Sequence, residues 1–414
     1  MSGIRAALQV ATAILPLGVY GPVAQGNANS GIADAISNGN VSTSVRYRYE
    51  NVDDDRFSEQ ADASTARLRL SLATGAWQAW SGFAEFDYVA HVAMRDFNSG
   101  AGTSPGRAQF PVVADPSGAD LNQLYVDYGS PHNLRVRIGR QRILLDNQRF
   151  VGGVGWRQNE QTYDALTLRS TAFGKTSITY NYINYVRRIF GNDVAAGKNK
   201  TDSHLLNANI KLNEHWSLVP YAYYLDYDDA ANAANSTATY GARILGKLAL
   251  DQGDISLTAE FASQSDAANN PVSFDADYWH LDASLAPGEQ WSFGVGMESL
   301  GGNATPGGAF RTPLATLHKF QGWADQFLST PDAGVRDVYA AVGFKLSGWR
   351  INTLYHDFSA EKGSADFGTE IDISAFRKIG KHYDLLIKTA WFSSDSASFA
   401  DARKIWLQFS ASYP

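Results

Sequence analysis

Val45-Arg46-Tyr47-Arg48-Tyr49-Glu50 decides the fold. Large apolar side chains alternate with charged ones, residue by residue. Leu68-Arg69-Leu70-Ser71-Leu72 and Leu134-Arg135-Val136-Arg137-Ile138 repeat the plan. In a β-strand successive side chains point to opposite faces, so each segment has one apolar and one charged face. A soluble sandwich would turn the apolar faces inward. With so many strands carrying charge on the second face, the reverse arrangement is expected: a barrel with a wet interior and an apolar outside.

The links between such segments carry the same message. About eighteen strands are predicted between residues 41 and 413. Tight turns fall near Gly75-Ala76-Trp77, Ser130-Pro131-His132, Ala172-Phe173, Pro287-Gly288 and Ser347-Gly348. Between them lie long links, among them 94–119, 144–160 and 302–333. Long and short alternate throughout, as in bacterial outer-membrane barrels with short periplasmic turns and longer outer loops. The fold class expected is all-β: a single transmembrane, antiparallel, up-and-down barrel. A propeller should show a fixed blade period, and none is found.

Composition narrows the choice. The 414 residues include 37 Gly, 20 Tyr, 21 Phe and 10 Trp, but no Cys and only 3 Met. Aromatics at 12% suit two interfacial girdles. No run of apolar residues after the N-terminus is long enough for a membrane helix. The absence of cysteine rules out disulfides and thiolate metal sites, and fits passage through an oxidising periplasm. A net charge of −7 argues against a nucleic-acid partner. The eight histidines are scattered without metal-ligand spacing, and no nucleophile elbow occurs, so no enzyme, metal or cofactor is expected. Asp53-Asp54-Asp55 reads as a solvated loop rather than a calcium site.

Residues 1–28 read as a secretory signal: Arg5, an apolar stretch from Ala6 to Val19, then small residues. Cleavage after Ala24 or Ala28 fits equally, and a structured N-terminal helix is the alternative. Residues 29–40 form a short polar spacer, and 41–414 the barrel. In the last strand Ile405, Leu407, Phe409, Ala411 and Tyr413 share one face, with Lys404, Trp406, Gln408 and Ser410 on the other. Such a strand, with an aromatic residue near the terminus, is what the outer-membrane assembly machinery is expected to read. Outer-membrane lipid and lipopolysaccharide are the other expected contacts.

With the aliphatic faces assigned to lipid, the lumen inherits Arg46, Arg48, Arg67, Arg69, Glu85, Asp87, Tyr125, Asp127, Arg135, Arg137, Arg169, Lys388 and Lys404. Two readings compete. The charges form an inter-strand ladder of ion pairs that fills the barrel. Alternatively, some arginines escape neutralisation and line a pore for anions, where the guanidinium fork suits carboxylates. The link at 301–331 is too long to be a plain connection. Leu314, Leu317, Phe320, Phe327 and Leu328 recur at roughly helical spacing. A folded-in constriction or lid is one reading, with His318, Lys319, Phe320, Trp323 and Asp325 as its candidates; a cap on the rim is the other. The link at 94–119, with several Gly and Pro, reads as flexible.

Three segments resemble the bacterial alginate-export porin family: Arg137-Ile138-Gly139-Arg140-Gln141-Arg142, Asp146-Asn147-Gln148-Arg149-Phe150 and Trp156 to Ala165. His318-Lys319-Phe320-Gln321-Gly322-Trp323-Ala324-Asp325 is similar to the same family. The resemblance implies an eighteen-stranded outer-membrane barrel with an arginine-rich passage for polyanionic alginate. The functions expected are a passive channel for anionic solutes such as an acidic polysaccharide or oligosaccharide, an uptake porin for small aromatic or other carboxylates, or a sealed barrel serving as enzyme or adhesin.

Overall fold

The computed structural model describes residues 31–130, 133–251 and 253–414. The expected signal segment, 1–28, lies outside the described residues. Eighteen strands form one antiparallel sheet. They are β1 (Asn40–Asp54), β2 (Ala61–Ala73), β3 (Trp80–Asp96), β4 (Gly118–Gly129), β5 (Leu134–Gln141) and β6 (Thr162–Phe173). Next come β7 (Thr176–Arg187), β8 (Lys198–Lys211), β9 (Trp216–Leu225), β10 (Thr237–Leu250), β11 (Gly253–Asp266) and β12 (Asp275–Pro287). The last are β13 (Trp291–Gly301), β14 (Gly334–Leu346), β15 (Trp349–Ser359), β16 (Asp366–Ile379), β17 (Tyr383–Ser394) and β18 (Ala402–Tyr413).

Each strand pairs with its sequence neighbour, and β1 also pairs with β18, Tyr47 facing Phe409. That closure leaves no unpaired edge, so every strand has a hydrogen-bonding neighbour on both sides. The described part of the expected spacer, 29–40, contains one short helix, α1 (Ile32–Ser37). The Ala35 carbonyl accepts from the Gly75 amide, so this turn is tied to the short β2–β3 connection.

Burial follows the alternation, inverted relative to a soluble protein. On β18 Trp406 is fully buried and points inward, while Ile405, Leu407 and Phe409 are exposed on the outside. Leu68, Leu70, Ile138, Leu281, Val295, Val338, Ile371 and Ile387 lie on the same outer surface. An arginine or lysine there would cost about 2–4 kcal/mol at the bilayer midplane. Aromatics mark the ends of the belt. Trp279, Tyr355 and Trp391 stand toward the long loops, while Trp291, Tyr383 and Tyr413 stand toward the short turns. The Tyr383 and Tyr413 hydroxyls meet at 2.5 Å.

The 302–333 loop, for which a folded-in constriction and a cap on the rim are the two readings from sequence, runs inside the barrel. The loop at 302–333 contains only a three-residue turn, Leu317–Lys319, and no helix. Its apolar spacing has a different cause: Phe310, Leu314, Trp323 and Phe327 are buried inside the barrel. Gln321, Gly322 and Asp325 adopt positive φ, and such kinks stop a helix from propagating. The 94–119 link, expected to be flexible, makes contacts of its own along 97–117. Its Asn98 and Val112 form a bridge, and Phe97, Val113 and Asp115 are buried.

Candidate functional site

Two loops enter the lumen and zip together. Val151 of the 142–161 loop bridges Leu314 of the 302–333 loop in parallel. The Gly152 amide donates to the Leu314 carbonyl at 2.8 Å, and the Thr316 amide to the Gln148 carbonyl at 3.0 Å. Gln161 adds a side-chain bond to the Leu314 carbonyl at 3.1 Å. The 97–117 loop joins them through Asp115, whose carboxylate accepts the Gln158 amide at 2.6 Å. Backbone this far from bulk water needs such partners.

One wall of the lumen grips the 142–161 loop with arginines. Arg46 on β1 donates to the Gln158 side-chain oxygen and the Gly155 carbonyl, each at 2.9 Å, and to the Arg157 carbonyl. Arg48 donates to the Trp156 carbonyl at 2.6 Å and lies 3.9 Å over the Trp156 ring. Arg67 on β2 reaches the Gln158 carbonyl at 3.1 Å. Arg69 is held by both oxygens of Asp87, at 2.7 and 2.6 Å, and by Glu160 at 2.9 Å. Arg142, just beyond β5, bonds both Glu160 and Glu85. Burial works to raise the Glu160 carboxyl, but Arg142, Arg69 and Arg67 outweigh it and hold it well below the ordinary range. Further along, Arg135 and Arg137 share Asp127, and Arg137 stacks on Tyr125 at 3.8 Å.

The neighbouring stretch of wall, β16 to β18, which adjoins β1, holds the 302–333 loop with the reverse polarity. Glu370 on β16 accepts the Trp323 amide at 2.5 Å and the Ala324 amide at 2.7 Å. Gly322, at φ +77°, lets the loop approach: a Cβ there would lie 2.3 Å from the Glu370 carboxylate. Lys388 on β17 is fully buried, 3.7 Å over Trp323 and 4.4 Å over Trp156. Its amine donates to His318 Nε2 at 2.7 Å. His318 Nδ1 then donates to Asp325 at 2.8 Å, and Lys404 on β18 reaches the other Asp325 oxygen at 2.7 Å. An imidazole that accepts at one nitrogen and donates at the other is neutral. Burial pushes His318 well below its ordinary value; Asp325 opposes that shift and the Lys388 charge reinforces it. Burial also sets Lys319, which falls to about 8; its amine donates to the Asn147 carbonyl at 2.9 Å.

The loops leave two cavities of interest. The larger, about 540 Å³, opens among the long loops and is lined by Phe57, Phe190 and Leu328, with Arg157, His318, Asp325 and Lys404. The smaller, about 230 Å³, lies toward the short turns and is lined by Arg46, Arg67 and Arg69, with Ser42, Ser44, Ser410 and Asp384. Val154 and Arg157 line the first, Gly155 and Trp156 the second. The stretch from Val154 to Gln158 is therefore a floor between them.

The candidates from the sequence are not all in one place. Arg46, Arg48, Arg67, Arg69, Glu85 and Asp87 gather around the floor, as do Lys388 and Lys404 from the adjoining strands and His318, Trp323 and Asp325 from the 302–333 loop. Phe320 lies farther off, under the Arg149 guanidinium at 5.0 Å. Tyr125, Asp127, Arg135 and Arg137 form a separate group, and Arg169 is exposed with the Ser177 hydroxyl at 3.3 Å. Alternation on strands missed the loop partners, Trp156, Arg157, Gln158 and Glu160, because no strand period places them. Asp53 and Asp54, expected in a solvated loop, instead end β1, where Asp54 is buried; they are paired with Arg403 and Arg56.

Comparison with known proteins now decides the family. Residues 38–297 match the family described as alginate export. The chain belongs to the alginate-export family. Its members and its fold are those of an outer-membrane channel rather than an enzyme, which agrees with the belt and the loop asymmetry seen here. No curated protein sequence matches the chain. Among solved structures it is similar to OccAB2 of Acinetobacter baumannii, with 16% identity, a TM-score of 0.71, and 93% of this chain and 100% of that one covered. OpdK of Pseudomonas aeruginosa, in a structure with vanillate, gives 12% identity and a TM-score of 0.71, covering 91% and 99%. OpdO of the same organism gives 14% and 0.69, covering 92% and 98%. At such identities the likeness concerns the fold, an eighteen-stranded barrel.

Proposed function

We propose that this alginate-export family member is a passive channel for small organic anions, carboxylates above all. The observation that carries the reading is the pair of cavities. Cations line both sides of the floor, and the larger cavity has the volume of a small-molecule site. Arg157 and Lys404 face the outer cavity and Arg46 and Arg67 the inner one. The outer cavity adds Phe57, Phe190 and Leu328, an apolar wall for a ring or short chain. OpdK, of the same fold, was solved with vanillate, a small aromatic carboxylate. Interspersed Glu85 and Asp384 keep anions from binding too tightly to leave, as conduction requires.

A second reading, passage of an alginate-like acidic saccharide, is favoured by family membership. Planar-bilayer recordings in a salt gradient test the first. A reversal potential set by anions is expected, with benzoate and glucuronate carrying current. Current carried mostly by cations sinks the proposal, and no current at all returns the protein to a sealed barrel. Liposome swelling with uronic-acid oligomers separates the two readings: entry of long oligomers as fast as monomers would favour the saccharide.

A further inference from the structure

Arg46 differs from the other arginines that β1 and β2 turn toward the floor. Arg48 has Asp115 at 3.8 Å, Arg67 has Glu160 at 3.7 Å, and Arg69 is ion-paired to Asp87. Among the described residues Arg46 has no carboxylate at ion-pair distance. Its three bonds all go to neutral oxygens of the floor itself: the Gly155 and Arg157 carbonyls and the Gln158 amide oxygen. It is only partly buried and lines the inner cavity. A carboxylate offers a guanidinium an opposite charge and two parallel acceptors, which separate neutral carbonyls do not. A carboxylate entering the inner cavity can therefore displace the floor carbonyls from Arg46.

Resting on the channel reading, we infer that Arg46 is both a carboxylate-binding site and the latch of the floor, so that a bound carboxylate opens the passage it uses. Bond counting supports the exchange: two guanidinium N–H donors leave the Gly155 and Arg157 carbonyls and take the two oxygens of one carboxylate. The remainder of the floor stays anchored. Trp156 is held under Arg48, stacks on His318 with ring centres 4.7 Å apart, and packs edge-on to Trp406 at 5.8 Å. Val154 is held by the Thr316 hydroxyl at 3.1 Å. Movement is thus confined to the peptides around Gly155, where no side chain must be dragged through the lumen.

The test is single-channel conductance of the full protein in sodium chloride, with sodium benzoate or sodium glucuronate added at millimolar concentration to the side of the short turns. Either carboxylate is expected to raise chloride-borne conductance at least twofold and saturably; a response to benzoate alone would assign an apolar carboxylate, to glucuronate alone a saccharide acid. Arg46→Ala is expected to match the carboxylate-opened level from the start and to ignore both probes, while Arg46→Lys, which lacks the fork, gives a weaker response. Heat-modifiable mobility on gels confirms that each variant is a folded barrel. The latch is overturned if Arg46→Ala keeps the wild-type conductance and response, or if carboxylates only block. A protein that carries no current in any form refutes the channel reading as well, so the two failures are distinguishable.

Discussion

The wall at β1 and β2 grips a loop by its carbonyl oxygens, whereas the wall at β16 and β17 grips another by its amide hydrogens. Arginines make the first contact and Glu370 the second. The difference lies in what can replace each grip. A carbonyl held by a guanidinium meets competition from any carboxylate that arrives. Two amides held by a buried glutamate meet none from an anion, and solute cations are kept off by Lys388 and Lys404. The arginine wall therefore suits exchange with a solute, and the carboxylate wall suits permanent anchoring.

That contrast can be broken most directly at the anchor. Glu370→Ala leaves two buried amides without acceptors, at about 1–3 kcal/mol each. Urea unfolding followed by tryptophan fluorescence should show a loss of about 3 kcal/mol. An equal loss in Arg46→Ala would erase the distinction between the walls. Gly322→Ala comes next. It places a Cβ against the Glu370 carboxylate at a φ that disfavours any side chain. A loss of about 2 kcal/mol is expected from the combined strain; no loss would mean that the loop is not seated on Glu370.

The smallest effect concerns pH. His318 is neutral in the fold, its value held below that of the unfolded chain. The unfolded state therefore binds the extra proton first. Stability from this site is intact above about pH 6.5, the ordinary histidine value, and falls as the pH drops below it. The drop should reach about 1 kcal/mol for each pH unit until the folded imidazole itself takes the proton. His318→Gln should flatten that slope in unfolding curves recorded between neutral and acid pH. A slope unchanged by the substitution would remove His318 from the clasp.

Much of the barrel is legible in the chain. Alternation in Leu68–Leu72 and Ile405–Tyr413 fixes which side chains meet lipid, because a strand's period of two admits only two faces. The switch from short to long links orients the barrel for the same local reason. The lumen is legible only as a list. Arg46 and Arg48 are two residues apart and share a face, yet one ends among neutral oxygens and the other against a carboxylate. Asp115 lies 67 residues from Arg48, and the oxygens of the 142–161 loop lie more than a hundred from both, separations no local pattern spans.

The long loops show where local reading fails. Leu314 and Phe327 belong to the helical pattern, but they are apolar because they fill the barrel's interior. Gly322 and the kinks around it serve a close approach to Glu370 rather than a helix end. By itself, then, the sequence determined a membrane barrel of about eighteen strands with cations facing inward, since both follow from neighbouring residues and the lipid that surrounds them. Only the tertiary structure decided which cations are neutralised, where the floor lies and what holds it, because those depend on loops returning through a closed sheet to meet strands remote in the chain.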